Sequence, residues 1–429
     1  MDKLAHSEMI TLLVAISVML IAGRLLGELF RRLKQPMVIG EILAGVILGP
    51  TVLGMIDQDF FQALFPSKGS TAIALNGLVN ISVILLLFIA GLEVDLSMVI
   101  EQGKQSLYIS FSSIIIPFII GFAFPWFYPD FFGITDEKFK LIYSLFLGTA
   151  LSITALPVIA RILMDTGLFK SKIGMLIIAS AMVNDLIGWM IFSVVLSMLN
   201  NEVGPSGLFN TILLTLFFSI IMLTFGRILF NKTLPWINKK FAWPGGILSL
   251  SIAMCFLAAS FTEYIGIHAI FGAFIFGIAL GDSVHLTDRA KEIIHHFVNN
   301  IFAPLFFVSI GLKVNFAQNF DLMLTLVVLI IAIAGKLIGA GVGAKLAKYS
   351  WKDALAIGSG MNARGAMEII LGLLALEAGI IKERMFVALV IMALVTSIIS
   401  GPMMKYFTRT FVKKIPDGLA SLQGDQKEF

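Results

Sequence analysis

Charge is scarce in this sequence. Asp, Glu, Lys and Arg make up 14% of its 429 residues and hydrophobic residues 58%, whereas soluble domains carry about 25% charged residues. A soluble core of this length could not hide so much apolar surface, so lipid must be the solvent for most of the chain. Cysteine is almost absent. Cys255 stands alone, which excludes an internal disulfide framework. Histidine is rare, and His285, His295 and His296 lack the spacing of a metal site. They share a loop with Asp282, Asp288, Arg289 and Glu292 and read as a solvated segment. No nucleophile stands beside a base near the middle of an apolar run, and neither His268 nor Cys255 has an evident partner. That speaks against an intramembrane enzyme. The net charge of +4 is small, and no nucleic-acid partner or cofactor is expected. A short apolar run ending in a small-residue cleavage site is also missing, so the first run, Met9 to Phe30, reads as a retained helix.

What is present is a succession of apolar runs. A spanning helix needs roughly 20 mostly apolar residues, and about 13 runs qualify, near 9–30, 37–56, 72–93, 106–128, 139–162, 173–200, 207–230, 246–264, 266–281, 296–312, 321–346, 353–376 and 385–407. The expected fold is an all-α polytopic membrane protein of about 13 transmembrane helices. It forms a single transmembrane domain over 1–407, followed by a short cytoplasmic tail over 408–429. Lys and Arg concentrate in loops on the cytoplasmic side of membrane proteins. Most basic residues here share a side with Arg31, Arg32, Lys34 and the C-terminal tail. The N-terminus is therefore expected outside and the C-terminus inside a cell membrane.

Segments of the two halves echo each other. Gly40-Glu-Ile-Leu-Ala-Gly-Val-Ile-Leu-Gly49 resembles Gly272-Ala-Phe-Ile-Phe-Gly-Ile-Ala-Leu-Gly281, and Leu87-Phe-Ile-Ala-Gly-Leu-Glu-Val-Asp95 resembles Phe307-Val-Ser-Ile-Gly-Leu-Lys-Val-Asn315. Spans two and three thus match spans nine and ten. The offset is odd, so the second copy is upside down. The plan is 6+1+6, with repeat one over about 9–200, a connector over about 207–230 and repeat two over about 246–407. Inverted repeats mark secondary transporters, whose sites lie near the midplane at the repeat interface.

Ionisable groups deep in a span are costly and point to function. Asp185 stands near the middle of span six. Away from water its charge must be cancelled, by a proton or by a small cation. Mutually exclusive binding of the two is all that exchange requires. Asn184 offers a neutral carbonyl ligand or a bond to a neighbouring helix, although adjacent helical residues point about 100° apart. In span five, Pro157 with Ser152 and Thr154 predicts an unwound stretch whose carbonyls and hydroxyls face a cavity. Span twelve corresponds by the same offset and holds Asn362, Arg364 and Glu368 among glycines. Arg364 and Glu368, four residues apart, are expected to pair on one helix face and to support the core. Lys336 in span eleven lies too deep to snorkel and needs a partner, for which Asp185 is the leading candidate. Glu41 follows Pro36 in span two and is expected to line the cavity or cap a helix.

These stretches, with Gln35-Pro-Met-Val-Ile-Gly-Glu-Ile-Leu-Ala-Gly-Val-Ile-Leu-Gly-Pro50, the Asn184-Asp185 pair and Asn362-Ala-Arg-Gly-Ala-Met-Glu368, resemble the cation:proton antiporter superfamily. The nearest branch is its second family, of sodium/proton antiporters and potassium efflux systems. The resemblance implies a homodimer, two crossing broken helices, a mobile core working as an elevator, and exchange of a monovalent cation (sodium first, with potassium or lithium as alternatives) for protons at Asp185. Asn-Asp in place of two aspartates resembles the electroneutral members, while Lys336 resembles a lysine of the electrogenic ones. A cation channel, or a sodium-coupled symporter of an organic anion on a related fold, are the competing readings.

Overall fold

The computed structural model describes residues 4–33, 35–169, 171–200 and 205–412. The tail beyond Val412 lies outside the described residues, as does Lys34 of the basic first loop. Among the described residues every regular element is helical. In chain order they are α1 (His6–Arg32), α2 (Met37–Leu48), α3 (Leu53–Ile56), α4 (Gln58–Leu64), α5 (Ser70–Leu92), α6 (Leu96–Phe127), α7 (Glu137–Ser152), α8 (Leu156–Asp165), α9 (Lys172–Asn200) and α10 (Pro205–Ile221). There follow α11 (Arg227–Lys240), α12 (Gly245–Tyr264), α13 (Ala269–Gly281), α14 (Asp288–Phe297), α15 (Ala303–Lys313), α16 (Leu322–Leu346), α17 (Trp351–Met361), α18 (Ala366–Glu377) and α19 (Glu383–Val412). Single π turns, Met222–Gly226 and Val298–Phe302, join α10 to α11 and α14 to α15.

Eleven stretches among the described residues are long and apolar enough to cross a membrane. The short apolar helix α13 and the interrupted pair α17–α18 account for the remaining runs of the sequence. The tenth run is longer than expected, because the amphipathic α14 continues through its π turn into α15. Helix α6 also begins earlier, at Leu96, and bends at Gly103, whose φ of +59° is open to glycine without strain.

The helices segregate into two groups. One is built from α1, α2, α5, α12, α13 and α15; the other from α6, α7, α8, α9, α16, α17, α18 and α19. Contacts within each group are dense and those between them few, as between α9 and α13. Lipid gives helices no hydrophobic reason to associate, so close packing needs small residues. In the first group a Cβ on Gly45 of α2 would fall on the Val308 carbonyl of α15, beside Gly311, and one on Gly277 of α13 would fall on the Phe88 carbonyl of α5, beside Gly91. The two contacts are equivalent when spans two and three are exchanged with nine and ten. Large apolar side chains such as Leu25, Phe225, Leu257 and Ile330 face outward, where lipid accepts them.

Candidate ion-binding site

The second group is organised by two interruptions. Helix α7 ends at Ser152 and α8 starts at Leu156, with extended backbone between. Pro157 sits in the first turn of α8, where its missing N–H costs nothing. It therefore starts a new helix instead of kinking an old one. Helix α17 ends at Met361 and α18 starts at Ala366. The two interrupting stretches cross and bond: the Ala155 N–H donates to Ala363 O at 3.1 Å, and Thr154 Oγ1 donates to Met361 O at 3.1 Å.

A break exposes helix ends, and each end carries partial charge that needs an opposite partner. Arg364 serves the C-terminus of α7, donating to Ala150 O at 2.8 Å and Leu151 O at 2.5 Å. Lys336, from α16, reaches the same end. It donates to Ser152 O, to Ser113 O at 3.1 Å and to Thr154 Oγ1 at 2.5 Å. Glu368 serves the N-terminus of α18 by accepting from the Gly365 N–H at 2.8 Å. Asp185 lies on α9 beside the N-terminus of α8, where the Leu156 N–H faces its carboxylate. Asp185 is 2% exposed, and its Oδ1 has no partner among the described residues. Both amide atoms of Asn362 are likewise buried and unpartnered.

Two expectations need correction. Lys336 forms no ion pair with Asp185; its ammonium is held by carbonyl and hydroxyl oxygens, because the end of α7 presents orphan carbonyls that sequence does not display. Glu41 lies apart from the crossing. It is buried within α2 in the other group, packed toward Gly27 of α1, since α2 starts at Met37, just after Pro36, and places Glu41 in its second turn. The Arg364–Glu368 pair also has a different basis: the break separates them, their nearest approach is 3.9 Å, and each serves its own helix end.

The other expected residues converge. Asn184, in the amide orientation that satisfies every neighbour, donates to Ser110 O and Ser180 O at 3.2 Å. Its oxygen then accepts from Ser113 Oγ at 3.0 Å and Lys336 Nζ at 3.2 Å. It thus ties α9 to α6 and orients Lys336. The Ser152 hydroxyl donates to Thr149 O at 2.8 Å, so Ser152 contributes its carbonyl, to Lys336. Two participants were missed. Ser113 holds both Asn184 and Lys336, and the spacing of Ser106, Ser110 and Ser113 along one face of α6 was the available signal. Glu93, at the end of α5, lies close enough to Asp185 to act on it electrostatically. It meets His295 Nδ1 at 3.8 Å. Surrounding protein pushes the Glu93 carboxyl up to about 7, although 34% of its side chain stays exposed.

Comparison with known proteins agrees with this architecture. The family model described as "Sodium/hydrogen exchanger, transmembrane" matches residues 14–410. The Na(+)/H(+) antiporter NhaS4 of Synechocystis is 34% identical, over 91% of this chain and 96% of its own. The K(+)/H(+) antiporter 1 of Saccharomyces cerevisiae is 31% identical over 87% of this chain, which spans 44% of that longer protein. Among solved structures, the sodium proton antiporter MjNhaP1 from Methanocaldococcus jannaschii superposes with a TM-score of 0.62 over 95% of this chain and 99% of its own, at 18% identity. Crossing broken helices around a buried aspartate, and a family match over nearly the whole chain, lead to one conclusion: this protein belongs to the sodium/hydrogen exchanger family.

Proposed function

We propose that this protein is a secondary antiporter that exchanges one monovalent cation for one proton at Asp185. The observation that carries the reading is the buried Asp185 carboxylate beside the crossing, whose Oδ1 has no partner among the described residues, while the two cations there, Lys336 and Arg364, are each held by carbonyl oxygens at the end of α7. Such an oxygen must take a proton or a cation, and it cannot hold both. Lys336 supports one-for-one exchange, since its ammonium is satisfied by neutral oxygens and need not be released when Asp185 is loaded. Asn362, with both amide atoms free, is the leading neutral ligand for the cation. Sodium is the first candidate, with potassium as the alternative; relatives named for either ion support both.

The finer architecture belongs to the same proposal. The exchanged glycine contacts support a 6+1+6 inverted repeat of 13 spans, with α13 and the α17–α18 pair counted as two of them. The sparse boundary between the two groups supports movement of the crossing group against the other. Basic Arg31 and Arg32 in the first loop support an external N-terminus and a cell-membrane location. The protein is read as a homodimer.

The test uses proteoliposomes with a trapped pH dye, a pH gradient, and Na⁺, K⁺ or Li⁺ added in turn under clamped potential. Cation-driven pH change that is lost in Asp185→Asn, and that is unaffected by the clamp, is the expected result. A folded wild-type protein that moves no protons in response to any of the three ions would sink the reading. Cation flux without proton coupling would move the channel to the front.

A further inference from the structure

Beyond the crossing, a cavity lies between α9, α13 and α18. Trp189, Ser193 and Leu196 line it from α9, His268 and Phe271 from the start of α13, and Leu374 from α18. Its core has about the room that one water requires. Two of its polar atoms, Trp189 Nε1 and Ser193 Oγ, are enclosed without a partner among the described residues, and these residues are 1% and 2% exposed. His268 caps α13, its Nδ1 accepting from the Ile270 N–H at 3.4 Å, so the neutral ring carries its proton on Nε2.

Asp185, Trp189 and Ser193 are spaced four apart and share one face of α9, each step rising about 6 Å. The cavity therefore begins one turn beyond the carboxylate. It continues away from Glu93. Helix α13 runs from Ala269, capped by His268, to Gly281, and Gly281 packs on Leu92, the residue before Glu93; the opposite end is marked by Ser197 Oγ, which donates to Gly266 O at 3.0 Å. Trp189, one turn from Asp185 on this face, lines the cavity. It packs edge-on to Phe192 at 5.8 Å and tilted against Phe274 of α13 at 6.2 Å. Trp189 belongs to the crossing group and Phe274 to the other, so their packing is a contact between two groups of helices.

We propose that this cavity is the vestibule through which Asp185 is reached from the face opposite Glu93, and that the Trp189 ring against Phe274 is the gate that closes it. The inference rests on the antiport reading, but its test does not depend on exchange. The lining chemistry sets what the vestibule holds. Trp189 and His268 present N–H donors and Ser193 a hydroxyl, which suit a water oxygen better than a bare cation. In the closed form the vestibule therefore holds a single water against these donors, and a cation can enter only once the Trp189–Phe274 contact opens and widens it.

The experiment places Ser193→Cys in a Cys255→Ala background and applies a membrane-impermeant thiol reagent to each face of oriented proteoliposomes, with and without Trp189→Ala. Modification only from the face opposite Glu93, at least tenfold faster with Trp189→Ala, is expected. Phe274→Ala opens the same gate from the other side and should accelerate it too, which covers a failure of Trp189→Ala to fold. Modification from the Glu93 face, or the same slow or absent labelling in all backgrounds, overturns the proposal even if the protein proves to be an antiporter. A protein that exchanges nothing can still give the expected labelling, so the two readings fail separately.

Discussion

Lys336 places its charge on oxygens that carry no formal charge, and this changes what its removal should do. Lys336→Met strips donors from Ser113 O, Ser152 O and Thr154 Oγ1, and each buried acceptor left alone costs about 1–3 kcal/mol. A drop of several degrees in the unfolding midpoint is expected. In a double-mutant cycle with Asp185→Asn the coupling should stay below about 1 kcal/mol; a larger value would mean that the two charges bind each other after all. Glu93 sets a second expectation. Its carboxyl, raised to about 7 by burial, is neutral below that pH and anionic above it. An anion there draws cations toward Asp185, so between pH 6 and pH 8 it should add about two- to fivefold to the rise in apparent cation affinity that proton competition at Asp185 already causes. Glu93→Gln should remove that addition, and an unchanged profile would exclude Glu93 from the path. At this scale the sequence was informative about Asp185, since a carboxylate in mid-span has few innocent explanations. Partners were harder. Two of the oxygens that hold Lys336, on Ser113 and Ser152, belong to the main chain, and main chain has no signature in the residue types. Glu41 looked like a site residue because depth in a span is legible while the direction of a side chain across the bundle is not.

Among elements, the broken helices carry the site, and their charges are fitted to peptide dipoles. Arg364 uses two arms of a planar fork on consecutive carbonyls, Ala150 O and Leu151 O. An ammonium cannot copy that fork. Arg364→Lys should therefore destabilise the α7 end and reduce exchange by about an order of magnitude with little change in cation affinity, measured as initial rates against cation concentration. An unaltered maximal rate would make the fork dispensable. Pro157 and the nearby hydroxyls made the first break readable, and the glycines with Asn362 the second. The start of α14 was not readable: its amphipathic turns look like a loop until they are seen to continue into α15. Packing between elements gives a separate expectation. Gly277→Leu would drive a side chain into the Phe88 carbonyl, and overpacking of this kind costs about 1–3 kcal/mol or more. Thermal shift in detergent should fall, and Gly277→Ala should fall less.

For the whole molecule, the decisive feature is the thin boundary between the two helical groups. Cysteines at Ser193 and Ile270, on opposite walls of the vestibule, should allow a short bifunctional thiol reagent to pin α9 to α13. Exchange should fall by at least tenfold and return when a reducible linker is cleaved; full activity in the pinned protein would rule out relative movement of the groups there. The sole native thiol, Cys255, is buried and leaves the background quiet. The division into groups was only partly legible, because repeated motifs reveal matching spans but not which of them share a body. One further consequence follows from the crossing itself. Two carboxylates, Asp185 and Glu368, and two cations, Lys336 and Arg364, are buried together in the crossing group. Loaded with either a proton or a monovalent cation, Asp185 leaves the travelling group with the same total charge. The membrane field, which does about 2.3 kcal/mol of work per charge per 100 mV, then favours neither loaded form. The exchanger would come to rest where two ratios match, with about a tenfold difference in cation concentration balancing each unit of pH across the membrane.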